Sequence, residues 1–195
     1  MPAHPSGEIV TVLDACVLLL ASLRDTLLRL AETPRLYTPK WSPQIWEEVT
    51  RKLETRRSLS RDKIAHLTEQ IQLYFPEAQV DGYEKFTAMM TNDPKDRHVA
   101  AAAVRANAKV IVTSNLKDFP SSSLLEWEIE AQHPDQFLMD LYAVDPETVA
   151  SRLNDQAATI GRSLRDLVAT LSIGVPSFAA MVALGMPASQ KDDGF

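Results

Sequence analysis

The sequence predicts an α/β fold with a mainly parallel central sheet, on three observations. Short β-branched apolar runs, Ile9–Leu13 and Val110–Thr113, alternate with longer stretches of helical periodicity. Acids stand directly behind those runs, Asp14 after the first and Asp118 shortly after the second. That is the edge where open α/β sheets place their ligand crevice. Ala100, Ala101, Ala102 and Ala103 fall in a row within one helical stretch, making a helix thin enough to lie close on a sheet.

Each element follows from local pattern. Val17, Leu20, Leu23, Leu27, Leu28 and Leu30 recur at helical intervals and predict one helix from Cys16 to Ala31, stopped by Pro34. Ser42-Pro43 opens a second helix, serine as N-cap and proline in the first turn, with Ile45, Trp46, Val49 and Leu53 apolar. A third runs from about Ser60 to Phe75 and ends before Pro76. A short strand at Ala78–Val80 leads to a brief helix over Glu84–Met90, and Asp93-Pro94 starts the alanine-rich helix. A strand over Glu128–Ala131 and a helix from His133 to Ala143 complete the alternation.

The 195 residues suit one domain with an appendage. We divide them into a flexible start at 1–8, an α/β domain at 9–145, a helical extension at 146–188 and a loose tail at 189–195. Hydrophobic residues at 45% and charged residues at 24% exclude a disordered chain. The longest apolar run, Val12–Ala21, is broken by Asp14 and too short to span a bilayer, so a cytoplasmic protein with no membrane contact is expected. The single cysteine, Cys16, allows no intrachain disulfide and reads as a small buried side chain on a Leu-rich helix.

Net charge is −6, which speaks against a protein that simply coats nucleic acid. Yet Arg51, Lys52, Arg56, Arg57, Arg61 and Lys63 face only Glu54 and Asp62 over residues 51–63. A basic strip there suits phosphate tracking, with Arg56 and Arg57 as contacts; the bland alternative is a solvated helix end.

Asp14 and Asp118 fall at one edge of the predicted sheet, and Asp93 and Asp96 lie on the turn that begins the helix feeding the second strand. On the helix opened by Ser42, at 100° per residue, Glu47 falls nearly opposite the apolar face and should be solvated. Glu48 falls on the border of that face and can lean into a cleft. Four carboxylates in one crevice repel one another unless a cation is present, and magnesium, with manganese as the alternative, suits oxygen ligands. Each acid has a plainer reading. Asp14 and Asp118 could cap turns, Asp93 and Asp96 a helix start, and Glu48 could pair with Lys52 on the surface. The histidines His4, His66, His98 and His133 show no zinc spacing, and six scattered glycines make no phosphate loop.

Four strings in order resemble the PIN-domain family: Val12-Leu13-Asp14-Ala15-Cys16-Val17-Leu18, then Trp41-Ser42-Pro43-Gln44-Ile45-Trp46-Glu47-Glu48-Val49, then Asp93-Pro94-Lys95-Asp96-Arg97-His98-Val99-Ala100-Ala101-Ala102, and finally Val110-Ile111-Val112-Thr113-Ser114-Asn115-Leu116-Lys117-Asp118-Phe119-Pro120. The resemblance implies a three-layer α/β/α nuclease. Asp14, Glu48 and Asp96 would be its acids and Asp118 the fourth, with Asp14 and Asp96 on the metal and Thr113, Ser114 and Asn115 lining the site. Within the family the chain is similar to VapC-type toxins with a helical C-terminal extension. That implies a magnesium-dependent endoribonuclease, an RNA substrate, a small cognate antitoxin and a homodimer; the sequence itself offers an apolar helix at Leu20–Leu30 that could extend an interface. Two departures stand out: Cys16 replaces a common asparagine, and Asn115 stands where some members carry the fourth acid. The alternatives are a PIN-like module that binds RNA or a regulator without cutting, and a receiver-like switch, which lacks its paired acids and late lysine.

Overall fold

A computed structural model describes residues 9–186, so the loose ends expected at 1–8 and 189–195 lie outside the described residues. In chain order the elements are β1 (Val10–Leu13), α1 (Ala15–Leu18), α2 (Ala21–Leu30), β2 (Thr38–Lys40), α3 (Pro43–Arg57), α4 (Arg61–Tyr74), α5 (Glu84–Thr87), α6 (Arg97–Arg105), β3 (Val110–Val112), α7 (Ser121–Leu124) and β4 (Glu130–Gln132). Helices α8 (Pro134–Val144), α9 (Pro146–Thr159), α10 (Leu164–Leu171) and α11 (Pro176–Gly185) follow.

The four strands form one sheet in the order β2-β1-β3-β4, every pair parallel. Thr11, Val12 and Leu13 point alternately to opposite faces, yet all three are fully buried. Both faces of the sheet are therefore covered, as a parallel α/β/α arrangement demands. Residues 100–103 of α6 are buried without remainder, and their methyl groups let that helix approach β1 and β3 closely. On α3, Ser42 accepts a hydrogen bond from the Ile45 amide at 3.2 Å, and Ile45, Val49 and Leu53 supply the buried stripe.

Residues separate into two compact units. One comprises the described chain to Leu19 together with Tyr37–Gln132; the other comprises Leu20–Leu36 and the chain from His133 onward. This differs from the division at 145/146 expected from sequence. Helix α2 belongs to the helical unit, where it packs on α9 and α10. There the Gln156 carboxamide accepts from the Thr26 hydroxyl at 2.7 Å and donates to the Ser22 carbonyl at 2.9 Å, wholly buried. Asp135 of α8 accepts from the amides of Ser177 and Phe178, closing the start of α11.

Four local expectations are corrected. The single helix at Cys16–Ala31 is two helices, because Leu20 is extended and the chain changes unit at that residue. The apolar face of α2, expected to extend an interface with another chain, is already buried at Leu23, Leu27, Leu28 and Leu30 within its own unit. Residues 78–80 make only an isolated parallel bridge, Trp41 to Gln79, while the edge strand lies at Thr38–Lys40. Pro39 is tolerated there because an edge strand has a free side. The last strand starts at Glu130, since Glu128 occupies the left-handed region with φ 54°.

Candidate active site

Asp14 leaves the end of β1 with its amide still donating to the Val112 carbonyl of β3, at 3.1 Å. Its side chain is buried and makes no helix-cap bond. Instead Oδ2 accepts from the Thr113 hydroxyl at 2.7 Å and from the Cys16 thiol at 3.1 Å. Both donors are held in turn. The Asn115 amide donates to Thr113 Oγ1 at 3.0 Å, and the Ser114 amide donates to Cys16 Sγ at 3.2 Å. The loop after β3 thus uses two backbone amides to fix the groups that fix Asp14, while the side chains of Ser114 and Asn115 stay exposed.

Cys16 is a polar partner here and not the core filler expected. Burial first, then the charge of Asp14, pushes its thiol up to about 12. At pH 8 the thiolate that reacts with alkylating agents is scarce. Iodoacetamide should therefore label the native chain far more slowly than the urea-unfolded chain, as followed by intact mass; equal rates would contradict the thiol's donor role.

Asp96 ends the short turn Pro94–Asp96 that leads into α6, and its side chain caps nothing. Asp93 takes that task, accepting from the Lys95 amide at 3.1 Å. One oxygen of Asp96, Oδ2, is buried with no hydrogen-bond partner. Burial, then the charges of Asp14 and Asp118, raise its carboxyl to about 6. Asp118 is buried as well, and Lys95 Nζ stands 3.4 Å from its Oδ2.

Glu48 is half-buried, 3.1 Å from Lys52 Nζ, while Glu47 is exposed. Its other oxygen lies 3.3 Å from His98 Nε2, without hydrogen-bond geometry. The ring is fixed from behind by Nδ1 against the Lys95 carbonyl at 3.0 Å. A carbonyl only accepts, so Nδ1 carries the proton and Nε2 of the neutral ring offers a lone pair. Burial draws the imidazole below its ordinary value, against the pull of Glu48 and Asp14 in the opposite direction. His98 and Lys95 are thus site residues that sequence reading passed over, while Cys16 was noted only as a buried side chain and a departure from the family pattern. Both sit inside the Asp93–Ala102 string, where only the acids were weighed as site residues.

Arg56 and Arg57 lie elsewhere. They close α3 two turns beyond Glu48, about 12 Å along the axis. Arg56 is exposed, and Arg61 of the same strip is engaged with Glu54 at 2.8 Å.

The family profile described as PIN domain matches residues 10–117. The chain belongs to the PIN-domain family. A protein of Mycobacterium tuberculosis (strain ATCC 25618 / H37Rv) named "Putative ribonuclease VapC50" is 58% identical over 59 residues, covering 30% of this chain and 35% of that protein. The chain thus aligns with about a third of that relative's length. No solved structure matches. PIN-domain nucleases generally use divalent metal. Among the described residues, no three His, Cys, Asp or Glu side chains stand within ligating reach of one point. The donor set nonetheless suits a hard cation: Asp96 Oδ2 is unpartnered, and Asp14 and Asp118 already raise its carboxyl. No helix among the described residues is long and apolar enough to cross a membrane.

Proposed function

We propose that this PIN-domain protein is a metal-dependent endoribonuclease and the toxin of a VapBC-like pair. One observation carries the reading: an unpartnered, buried Asp96 oxygen beside Asp14 and Asp118, each of which raises the Asp96 carboxyl. Carboxylates repelling one another in a partly dry crevice are stabilised by a divalent cation, magnesium or manganese. Asp14 and Asp96 would hold it, with Asp118 and Glu48 completing the acidic wall. When bound, such an ion activates water and stabilises in-line displacement at a phosphodiester.

The chain's own groups do the rest. Thr113 and Cys16 lock Asp14 Oδ2, so its carboxylate is pre-oriented. Lys95, exposed at the mouth, is raised by Asp118 and Asp93 and stays charged to draw the RNA backbone in. His98 backs Glu48, standing against its far oxygen. Thr113, Ser114 and Asn115 line the crevice, and Arg56 and Arg57 extend a phosphate path along α3.

A cytoplasmic ribonuclease needs restraint. The partner is a small cognate antitoxin that places a basic side chain among the acids, a charge-assisted contact standing where the metal would. The working form is a homodimer. The metal test is direct: purified protein should cut RNA with magnesium and stop in EDTA, recovering when magnesium or manganese returns. Cleavage that persists in EDTA overturns metal dependence. Expression alone should arrest growth and co-expression with a small neighbouring gene should relieve it; harmless expression with no small co-purifying partner overturns the toxin role.

A further inference from the structure

Gln44, Glu47, Glu48 and Arg51 recur at helical intervals on α3, so their side chains share one face. That face borders a cleft of about 370 Å³, whose remaining walls are Pro43 and Tyr83. The volume falls in the range of roughly 300–1,000 Å³ typical of small-ligand sites. The cleft adjoins the acid site through Glu48, whose far oxygen meets His98 beside Asp14. A nucleotide seated here therefore neighbours the reacting phosphate.

The polar groups on this face are arranged for recognition. The Tyr83 hydroxyl donates to Gln44 Oε1 at 3.2 Å, which turns the carboxamide N–H pair away from the phenol and leaves it free to donate. Burial of Tyr83 raises its hydroxyl and keeps it protonated for that task. Among the described residues the Glu47 carboxylate and the Arg51 guanidinium have no side-chain partner; the hydrogen bonds made at both residues go to their backbone carbonyls. One free carboxylate, one free amide donor and one free guanidinium thus face a cleft that has room for one nucleotide.

Base chemistry selects among the four. A carboxylate accepts two parallel N–H bonds, and a carboxamide N–H donates to a carbonyl beside them. On their Watson–Crick edges, uracil offers one N–H between two carbonyls, and adenine and cytosine offer one amino group beside a ring acceptor. Guanine offers N1–H and the N2 amino group side by side, next to O6. Arg51 supplies the two-pronged donor that suits a phosphate. We infer that the cleft formed by Gln44, Glu47, Arg51 and Tyr83 is a guanosine subsite of the ribonuclease, an assignment that rests on the proposed RNA-cutting function.

Binding is measured without cleavage, by titrating 5′-GMP, AMP, CMP and UMP into the full chain in EDTA and following calorimetry and chemical shifts. GMP should bind about tenfold tighter than the other three, the discrimination of one bidentate base contact. Glu47→Gln should remove that preference, and Arg51→Gln should weaken all four nucleotides together. Equal affinities, no binding at millimolar nucleotide, or a preference that survives Glu47→Gln would overturn the subsite. A second arm maps cuts in a randomised RNA. Guanine enriched beside the cut supports the assignment, and cutting without enrichment overturns it alone. GMP binding by a chain that cuts no RNA upholds the subsite and retires the ribonuclease reading.

Discussion

Asp96→Asn should reduce RNA cleavage to background while making the metal-free protein more stable at neutral pH. Removing a group that merely orients a metal ligand costs about 10–100-fold; removing the carboxylate itself should exceed that. The stability gain has the opposite sign from most site mutations. In the folded chain the Asp96 carboxyl is raised from 3.8 to about 6, by burial first and then by Asp14 and Asp118. The folded state therefore binds this proton more tightly than the unfolded state, and the wild type loses stability as pH rises from about 4 to about 6. Asparagine keeps the shape and removes the charge, so its advantage is full above pH 6 and absent below pH 4. Urea midpoints in EDTA at pH 4 and pH 8 give the comparison. Asp14→Asn should abolish cleavage equally. Cleavage surviving either change, or a midpoint at pH 8 that falls for Asp96→Asn, contradicts the assignment.

A fragment ending at residue 145 should fail to fold. The division read from sequence makes 9–145 one domain and 146–188 an extension to it. In the structure α2 packs on α9 and α10, and the cut removes both from a helix whose Leu23, Leu27 and Leu30 are buried. It also leaves Thr26 and the Ser22 carbonyl without the carboxamide of Gln156. Losing a large buried apolar side chain costs about 2–5 kcal/mol, and three exposed together reach the whole stability of an ordinary domain, about 5–15 kcal/mol. The fragment should appear in inclusion bodies, or in solution with helix content well below that of the full chain by circular dichroism. A soluble fragment with a cooperative melt would show that α2 finds its cover elsewhere.

Legibility followed the range of the forces. Short-range signals were readable. Ser42-Pro43 announced a helix start and the structure has Ser42 capping α3, while the buried runs at β1 and β3 became neighbouring parallel strands. The family likewise emerged from four strings, and the profile match agrees. What failed depended on partners distant in sequence. The break at Leu20 carries no glycine or proline; it arises because residues on either side are buried in different units. The edge strand at Thr38–Lys40 was not read from sequence, which placed a strand at Ala78–Val80 instead. At the site, the acids were nameable one by one, and the wheel left Glu47 outside and Glu48 inward, where the structure also has them. Composition gave no hint that a thiol would share a carboxylate oxygen with Thr113, 97 residues away, or that His98 would back Glu48. Small polar groups acquire such tasks only once the sheet has set their distances.

The placement of α2 carries a consequence for synthesis. Its cover, α9, begins at Pro146, more than a hundred residues after α2 ends at Leu30. A ribosome adding about 5–20 residues per second takes on the order of ten seconds to cross that interval. Throughout, the strands and α6 can assemble while an apolar helix near the start waits uncovered. The nascent chain is therefore most vulnerable to chaperone capture or aggregation during the stretch in which its acidic residues are already being brought together.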